Sequence, residues 1–176
     1  MKAKKIIAVI LHIFRRNKTA AKVLGVKFGE GCKFIGNPVS TFGSEPWAVN
    51  IGDHVEITNG VQIITHDGAL WVLRQKDKFK NTDIVKRVSI GNNVFIGVNS
   101  VILGGVSIGD NVIIGAGSVV NRDIPDNVVA AGVPAKVIED IAKYEEKKSL
   151  EKSLNTKGMN YKDKQRMWKD CLDELD

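Results

Sequence analysis

The sequence predicts an all-β solenoid of hexapeptide repeats, because a six-residue period runs through its second half. An aliphatic residue recurs at every sixth position, and a small or aliphatic residue follows each of these four positions later. The first set is Ile90, Ile96, Ile102, Ile108, Ile114 and Val120; the second is Val94, Ser100, Val106, Val112, Ser118 and Ile124. This period matches neither the 3.6 residues of a helix nor the two of an isolated strand. We expect three hexads to form one triangular coil, with coils stacked about 4.8 Å apart.

The repeat also occurs upstream, with two interruptions. Further coils are indicated by Ile51, Val55, Ile57, Val61 and Ile63, and before them by Phe28, Cys32 and Phe34. A slip in the register predicts a small insertion around residues 41–47. The period is then lost between Ile63 and Ile90, where segment 67–87 is polar, charged and aperiodic. Insertions in repeat proteins form loops that are often functional.

Composition narrows the possible functions. The 176 residues contain 6% aromatic residues and 17 glycines, which suits thin coils with little room for rings. A net charge of +6 fits either a solvated surface or binding of an anionic partner. Aromatic residues do not alternate with basic clusters, so we expect no nucleic-acid binding. Cys32 and Cys171 lie far apart and suggest no disulfide framework, which favours a reducing, cytoplasmic location.

Both ends of the chain are predicted to be helical. Residues 3–22 form an amphipathic helix that either packs over the first coil or docks on an anionic membrane surface, at the inner face of the membrane. Its apolar run is too short to span a bilayer. Downstream, helical periodicity predicts helices over 139–153 and 161–175, the second with Trp168, Cys171, Leu172 and Leu175 on one face.

Three segments together carry a resemblance to a known family. They are residues 63–68, the hexads over 90–124, and the closing segment 130–138, which reads Ala-Ala-Gly-Val-Pro-Ala-Lys-Val-Ile. The chain resembles the hexapeptide-repeat acetyltransferases, in the branch of the maltose/galactoside and polysaccharide O-acetyltransferases. The resemblance implies a left-handed parallel β-helix, an exception to the right-handed crossover rule. It also implies a homotrimer that binds acetyl-CoA in a groove between two subunits, with no metal.

The predicted organisation has three parts. Residues 1–25 form an N-terminal helical segment, and residues 139–176 form a C-terminal helical extension. Between them, residues 26–138 form the β-helix acyltransferase domain, with the inserted loop 67–87.

The resemblance assigns the catalytic base to the histidine that enters the long loop, here His66. A neutral imidazole can take the proton of a sugar hydroxyl near neutral pH and pass it to the departing thiolate. A carboxylate on the other ring nitrogen would orient the base. Asp67 is adjacent in sequence, while Glu45 or a residue of another subunit could serve instead.

Other site residues are carried over from the family. Ala116, in the Gly-Ala-Gly-Ser hexad, would offer a backbone amide to pantetheine, and Arg122 and Lys136 would bind phosphate. Phe95 and Gly97 would border the cofactor. Relatives often have Trp at the position of Phe95, and galactoside-type enzymes have Ser at the position of Val98. For the acceptor, Glu45, Trp47, Trp71 and Arg74 could bind a saccharide.

The sequence therefore predicts acetyl transfer from acetyl-CoA to a sugar or glycan hydroxyl. N-acetylation of an amino sugar or sugar nucleotide is the close alternative, because the same base serves either acceptor. Two other classes are a non-catalytic β-helix scaffold and a zinc enzyme of the carbonic anhydrase type. The zinc enzyme needs three converging histidines, whereas only His54 and His66 lie on coils, twelve residues apart.

Overall fold

The computed structural model describes residues 2–173 and contains three sheets that the chain visits in rotation. Their strands are parallel except for the last strand of the second sheet, which runs antiparallel. The first sheet contains β1 (Lys27–Phe28), β3 (Val49–Ile51), β6 (Val88–Ile90) and β9 (Ser107–Ile108). The second contains β2 (Lys33–Phe34), β4 (Glu56–Ile57), β7 (Val94–Ile96), β10 (Val112–Ile114), β12 (Val128–Gly132) and β13 (Ala135–Asp140). The third contains β5 (Gln62–Ile64), β8 (Val101–Leu103) and β11 (Val119–Val120).

The strand register confirms the six-residue period. Val94 pairs with Val112 and Val101 pairs with Val119, so successive coils are offset by 18 residues, which is three hexads. Val49 pairs with Val88 across the long loop, so the loop adds 21 residues to one regular coil. The chain therefore resumes its stacking after the loop in the same sheets that it left.

Both predicted columns of side chains lie in the core. All twelve residues from Ile90 to Ile124 that define the period are buried, and none exceeds 6% exposure. Cys32 and the upstream residues Ile51, Val55, Ile57, Val61 and Ile63 are buried in the same cluster. Stacking thus removes from water the aliphatic faces that a single short hexad could not bury.

One corner of the stack is held by a ladder of side-chain amides. His54, Asn93, Asn111 and Asn127 occupy equivalent turns, all with φ between 54° and 59°. His54 Nδ1 contacts Asn93 Oδ1 at 2.8 Å, and each of the next two Asn side chains donates to the following one at 2.9 Å. Asn tolerates the left-handed conformation better than most residues, and the ladder satisfies its amide groups. The asparagines therefore fix both the corner geometry and the coil-to-coil alignment.

The first interruption contains two short helices. The α-helix that follows β2 spans Pro38–Phe42, and a 3-10 helix spans Pro46–Ala48. The α-helix contacts β5, and its Phe42 is fully buried in the main core. It therefore closes the first coil on a side where that coil has no strand, close to the insertion predicted at 41–47.

The single N-terminal helix predicted over 3–22 is wrong. The structure has α1 (Lys2–Ile13) and α2 (Asn17–Leu24), and the α-helix at Pro38–Phe42 is therefore α3. Arg15 adopts a φ of 56°, the Arg15 N–H bonds to the His12 carbonyl, and the Arg16 N–H bonds to the Leu11 carbonyl. This is a Schellman ending, which usually uses glycine, so the sequence contained no obvious stop signal.

The helix predicted over 139–153 begins later than expected. Residues up to Asp140 belong to β13, which pairs antiparallel with β12, from Gly132 with Ala135 to Val128 with Asp140. Helix α5 follows β13 and spans Ile141–Leu150. The α-helix before it in the chain, α4 (Leu70–Leu73), lies in the long loop. The prediction failed because Gly132, at a φ of 104°, helps to reverse the chain and β12 supplies pairing partners.

The described residues from 145 to 173 form a second compact unit, and the first ends at residue 144. Helix α6 spans Tyr161–Asp173 within the second unit. Of the predicted apolar face, Cys171 is buried, Trp168 is half-buried and donates its indole N–H to Thr156 Oγ1 at 3.2 Å, and Leu172 is exposed. Leu175 lies outside the described residues. Between residues 2 and 173, no helix combines the length and apolar content that crossing a bilayer requires.

We expect Gly91→Ala to destabilise the coil stack. A Cβ on Gly91 would lie 2.7 Å from the Gly109 carbonyl oxygen, so neighbouring coils would have to move apart. Overpacking of this kind costs roughly 1–3 kcal/mol, measurable as a lower free energy of unfolding in urea. Gly68→Ala is the matched control, because its Cβ would meet open space, and it should change stability by less than about 0.5 kcal/mol. Equal effects of the two variants would contradict this account of the corner.

Candidate active site

His66 lies where the long loop leaves the stack. It follows β5 and forms an antiparallel bridge with Val85 at the other end of the loop. The Asp67 N–H bonds to the Ile84 carbonyl at 2.9 Å, and the Lys86 N–H bonds to the Thr65 carbonyl at 2.7 Å. The two ends of the loop are thus joined to each other, and His66 is held by backbone contacts on a regular scaffold.

Glu45 contacts the imidazole of His66. Its Oε2 lies 3.0 Å from His66 Nδ1 and also accepts the Thr65 hydroxyl at 2.9 Å. The Glu45 side chain is 21% exposed and that of His66 is 45% exposed, so the pair sits at the edge of the protein. A carboxylate only accepts hydrogen bonds, so this contact places a proton on Nδ1 and leaves Nε2 available. The arrangement orients a potential base.

Asp67 takes a different position. Its Oδ1 accepts the backbone N–H of Ala69 at 3.0 Å, which stabilises the turn that leads into α4. Of the two carboxylates proposed to orient His66, Glu45 is therefore the one that contacts the ring nitrogen. The sequence pointed to Asp67 through adjacency, whereas Glu45 reaches the ring from the first interruption of the repeat.

A cleft of about 360 Å³ opens beside His66. It is lined by Ile64, Thr65, His66, Asp67, Gly68, Lys86, Leu103 and Gly104. Thr65 and Lys86 are contributions that the sequence analysis missed. The repeat pattern could have indicated both residues. A loop inserted between two coils must return next to its starting point, so Thr65 at its start and Lys86 at its end lie side by side. Lys86 adds a positive charge at the cleft, which favours anionic groups there.

The other predicted acceptor residues, Trp47, Trp71 and Arg74, are not among the residues that line this cleft. Trp71 in α4 is 77% exposed, and Trp47 in the 3-10 helix is 61% exposed. Arg74 is engaged within the loop, where its guanidinium donates to Asp83 Oδ1 at 2.7 Å and to the Lys80 carbonyl at 3.4 Å. The contacts of Arg74 therefore order the loop.

The predicted cofactor residues fall on different edges of the stack. Gly97 and Ala116 meet at one corner, where a Cβ on Gly97 would lie 2.5 Å from the Ala116 amide nitrogen. Lys136 of β13 pairs with Ala131 of β12, and Phe95 is an outward-facing residue of β7. Arg122 follows β11, at the corner that the chain turns after the third sheet. Gly97 has a clear packing role, since only glycine allows this approach of the coils.

The Arg122 corner is also the corner of His66. Ile63 pairs with Ile102, and Ile102 pairs with Val120, so the residues after these strands lie above one another. One chain thus brings Arg122 and His66 to one edge, and Gly97 and Ala116 to another. Within residues 2–173, no three His, Cys, Asp or Glu side chains are grouped so that they could hold a metal ion.

Comparisons with known proteins agree with the repeat. The family described as bacterial transferase hexapeptide (six repeats) matches residues 87–122. Protein CapG of Staphylococcus aureus is 51% identical over 158 residues, which cover 89% of this chain and 90% of that protein. A maltose O-acetyltransferase from Clostridium difficile has a similar structure, with a TM-score of 0.51 and 29% identity over 73% of this chain and 76% of its own. The chain belongs to the hexapeptide-repeat acetyltransferase family.

The hexapeptide-repeat acetyltransferase from Vibrio cholerae gives a further fold comparison. Its structure in complex with acetyl coenzyme A has a TM-score of 0.59 and 22% identity, over 80% of this chain and 88% of its own. At this identity the likeness concerns the fold. Together with the family membership, it confirms the resemblance drawn from the repeats, and the protein is an acyltransferase.

We expect the Nδ1–H tautomer of neutral His66 to dominate in the native acetyltransferase. The contact with Glu45 requires a donor at Nδ1, whereas an unconstrained imidazole has no such partner. Long-range ¹H–¹⁵N spectra at alkaline pH would show an unprotonated Nε2, and Glu45→Ala should abolish that preference. Thr65→Val is the control, because it leaves the carboxylate on the ring. An Nε2–H tautomer in the native protein would contradict the arrangement.

Proposed function

We propose that this acetyltransferase moves the acetyl group of acetyl-CoA to a hydroxyl of a sugar or glycan, with His66 as the general base. The observation that carries the proposal is the contact of Glu45 with Nδ1 of His66, which leaves Nε2 free of that contact on a residue that lines a cleft. The maltose O-acetyltransferase of Clostridium difficile supports transfer to oxygen, and the acetyl coenzyme A complex of the Vibrio cholerae protein supports the donor.

The reaction proceeds by direct transfer. His66 Nε2 removes the proton of the acceptor hydroxyl as that oxygen attacks the thioester carbonyl carbon. The tetrahedral intermediate then collapses, the carbon–sulfur bond breaks, and the imidazolium returns the proton to the CoA thiolate. Glu45 keeps the ring in place and lies beside it while it is positively charged, so it is a positioning residue in this scheme. Asp67 shapes the turn next to the base.

The geometry also favours a homotrimer of left-handed β-helices with sites between subunits. Within one chain, Gly97 and Ala116 lie at a different corner from His66 and Arg122. In a groove between two subunits, the corner of one chain that carries His66 and Arg122 would face the corner of its neighbour that carries Gly97 and Ala116. In that groove we assign the Ala116 amide to pantetheine, Arg122 and Lys136 to phosphates, and Phe95 and Gly97 to the wall.

The acceptor is assigned to the side of the cleft formed by the long loop. Trp71 in this loop offers an exposed indole ring on which a sugar can stack. Arg74 supports the loop through Asp83 and thereby positions Trp71, which lies in the same short segment. Glu45 contributes to this region as well, because it contacts His66, which lines the cleft.

We expect His66→Ala to lower the turnover of acetyl-CoA with a sugar panel by at least about a hundredfold, because general base catalysis contributes 10²–10⁴-fold. Release of free thiol measures the rate. His54→Asn is the matched control: it removes a histidine but places an asparagine where the other coils carry one at the same φ. Equal rates for His66→Ala and the native protein would remove His66 from the mechanism.

We expect a trimer at micromolar concentration, with three times the 19.3 kDa mass of one chain in sedimentation equilibrium. The physical reason is that each site needs corners from two chains. A monomer that turns over acetyl-CoA at full rate would contradict the shared groove and leave the role of His66 untouched.

A further inference from the structure

The N-terminal helix exposes its apolar residues. In α1 the buried residue is Ala8, which packs with Ala20 and Leu24 of α2. Ile6, Ile10 and Ile13 recur at helical spacing on another face and are 62, 48 and 70% exposed. Ile7, Val9 and Phe14 are exposed as well. A helix that only packs on its own domain turns its large aliphatic residues inward, so α1 has the opposite orientation.

The charge of the chain is concentrated in the same segment. Residues 1–29 contain eight Lys or Arg and no Asp or Glu, and the first acidic residue is Glu30. The whole chain has 26 basic and 20 acidic residues, so the remainder, with 18 basic residues, carries a small negative net charge. The entire positive excess therefore belongs to residues 1–29, which contain α1, α2 and β1. Such segregation marks an anion-binding surface rather than general solubility.

An exposed tryptophan lies next to this helix. Trp47 lines a cavity of about 230 Å³ together with Lys4 and Lys5 of α1 and with Leu24, Ser44 and Pro46. An indole beside lysine side chains is typical of the boundary between lipid headgroups and acyl chains. The apolar face, the basic residues and the indole thus belong to one region of the protein.

We propose that α1 docks in the plane of an anionic membrane surface. A helix of 12 residues is about 18 Å long, which is too short to cross a hydrocarbon core of about 30 Å but suits a helix lying in the interface. Its isoleucines enter the acyl boundary, while Lys4, Lys5 and the Arg15–Arg16 turn contact the headgroups. Packing of α1 against α1 of a second copy is disfavoured, since it would bring two strongly basic segments together.

Vesicle binding by the full-length protein tests the proposal. Vesicles of phosphatidylglycerol and phosphatidylcholine in equal amounts should bind the protein in flotation, whereas pure phosphatidylcholine should bind it at least about tenfold more weakly. Binding should weaken as salt is raised, because exposed charges are screened over about 10 Å at 0.1 M. Absence of binding to the anionic vesicles, or equal binding to both compositions, would overturn the proposal.

Variants locate the contact. The triple variant Ile6→Ser, Ile10→Ser and Ile13→Ser should lower the partition onto anionic vesicles at least about tenfold, because the apolar face is lost. Ile138→Ser with Leu150→Ser is the matched control, since both residues are exposed apolar side chains outside α1. Circular dichroism checks that each variant is folded. Undiminished binding of the triple variant would contradict the proposal, and so would a change in its oligomeric mass without lipid.

Discussion

Hydrogen bonding between successive coils is the constraint on which the rest of this protein depends. The stacked strands are mostly two or three residues long, too short to be stable without neighbours. Their backbone groups are satisfied only when the next coil presents its partners in register, three hexads later. This requirement explains the buried aliphatic columns. It also explains the glycines at corners such as Gly91, where a side chain would hold two coils apart.

The candidate site arises where that regularity is broken twice. The first interruption, 38–48, delivers Glu45, and the second begins at His66. Both lie beside β5: α3 contacts this strand, and a Cβ on Gly43 would lie 3.7 Å from the Ile63 carbonyl oxygen. Two irregular segments are thus fixed against one regular strand. This is how a scaffold of near-identical coils holds a carboxylate and an imidazole at hydrogen-bonding distance.

The sequence predicted most of the stack but only part of the site. A strict period leaves few alternatives, so it predicts that every column residue from Ile90 to Ile124 lies in the core, as the structure shows. Arg15 was missed as a helix end, because a left-handed conformation is rarely taken by arginine. From the sequence, the Glu45–His66 contact is only one of several possible ways to orient the imidazole. Its partners are 21 residues apart, and their meeting depends on two loops that have no period.

The antiparallel return of β13 has a consequence for how the molecules behave in a crowded solution. An open edge of a parallel sheet invites an identical edge of another molecule, and repeated addition would produce fibres. In the second sheet, the outer neighbour of β12 is β13, which runs in the opposite direction and ends in Glu139 and Asp140. A further coil of the same sense finds no matching partner there. The final strand of the repeat domain therefore disfavours repeated parallel addition of identical coils at that edge.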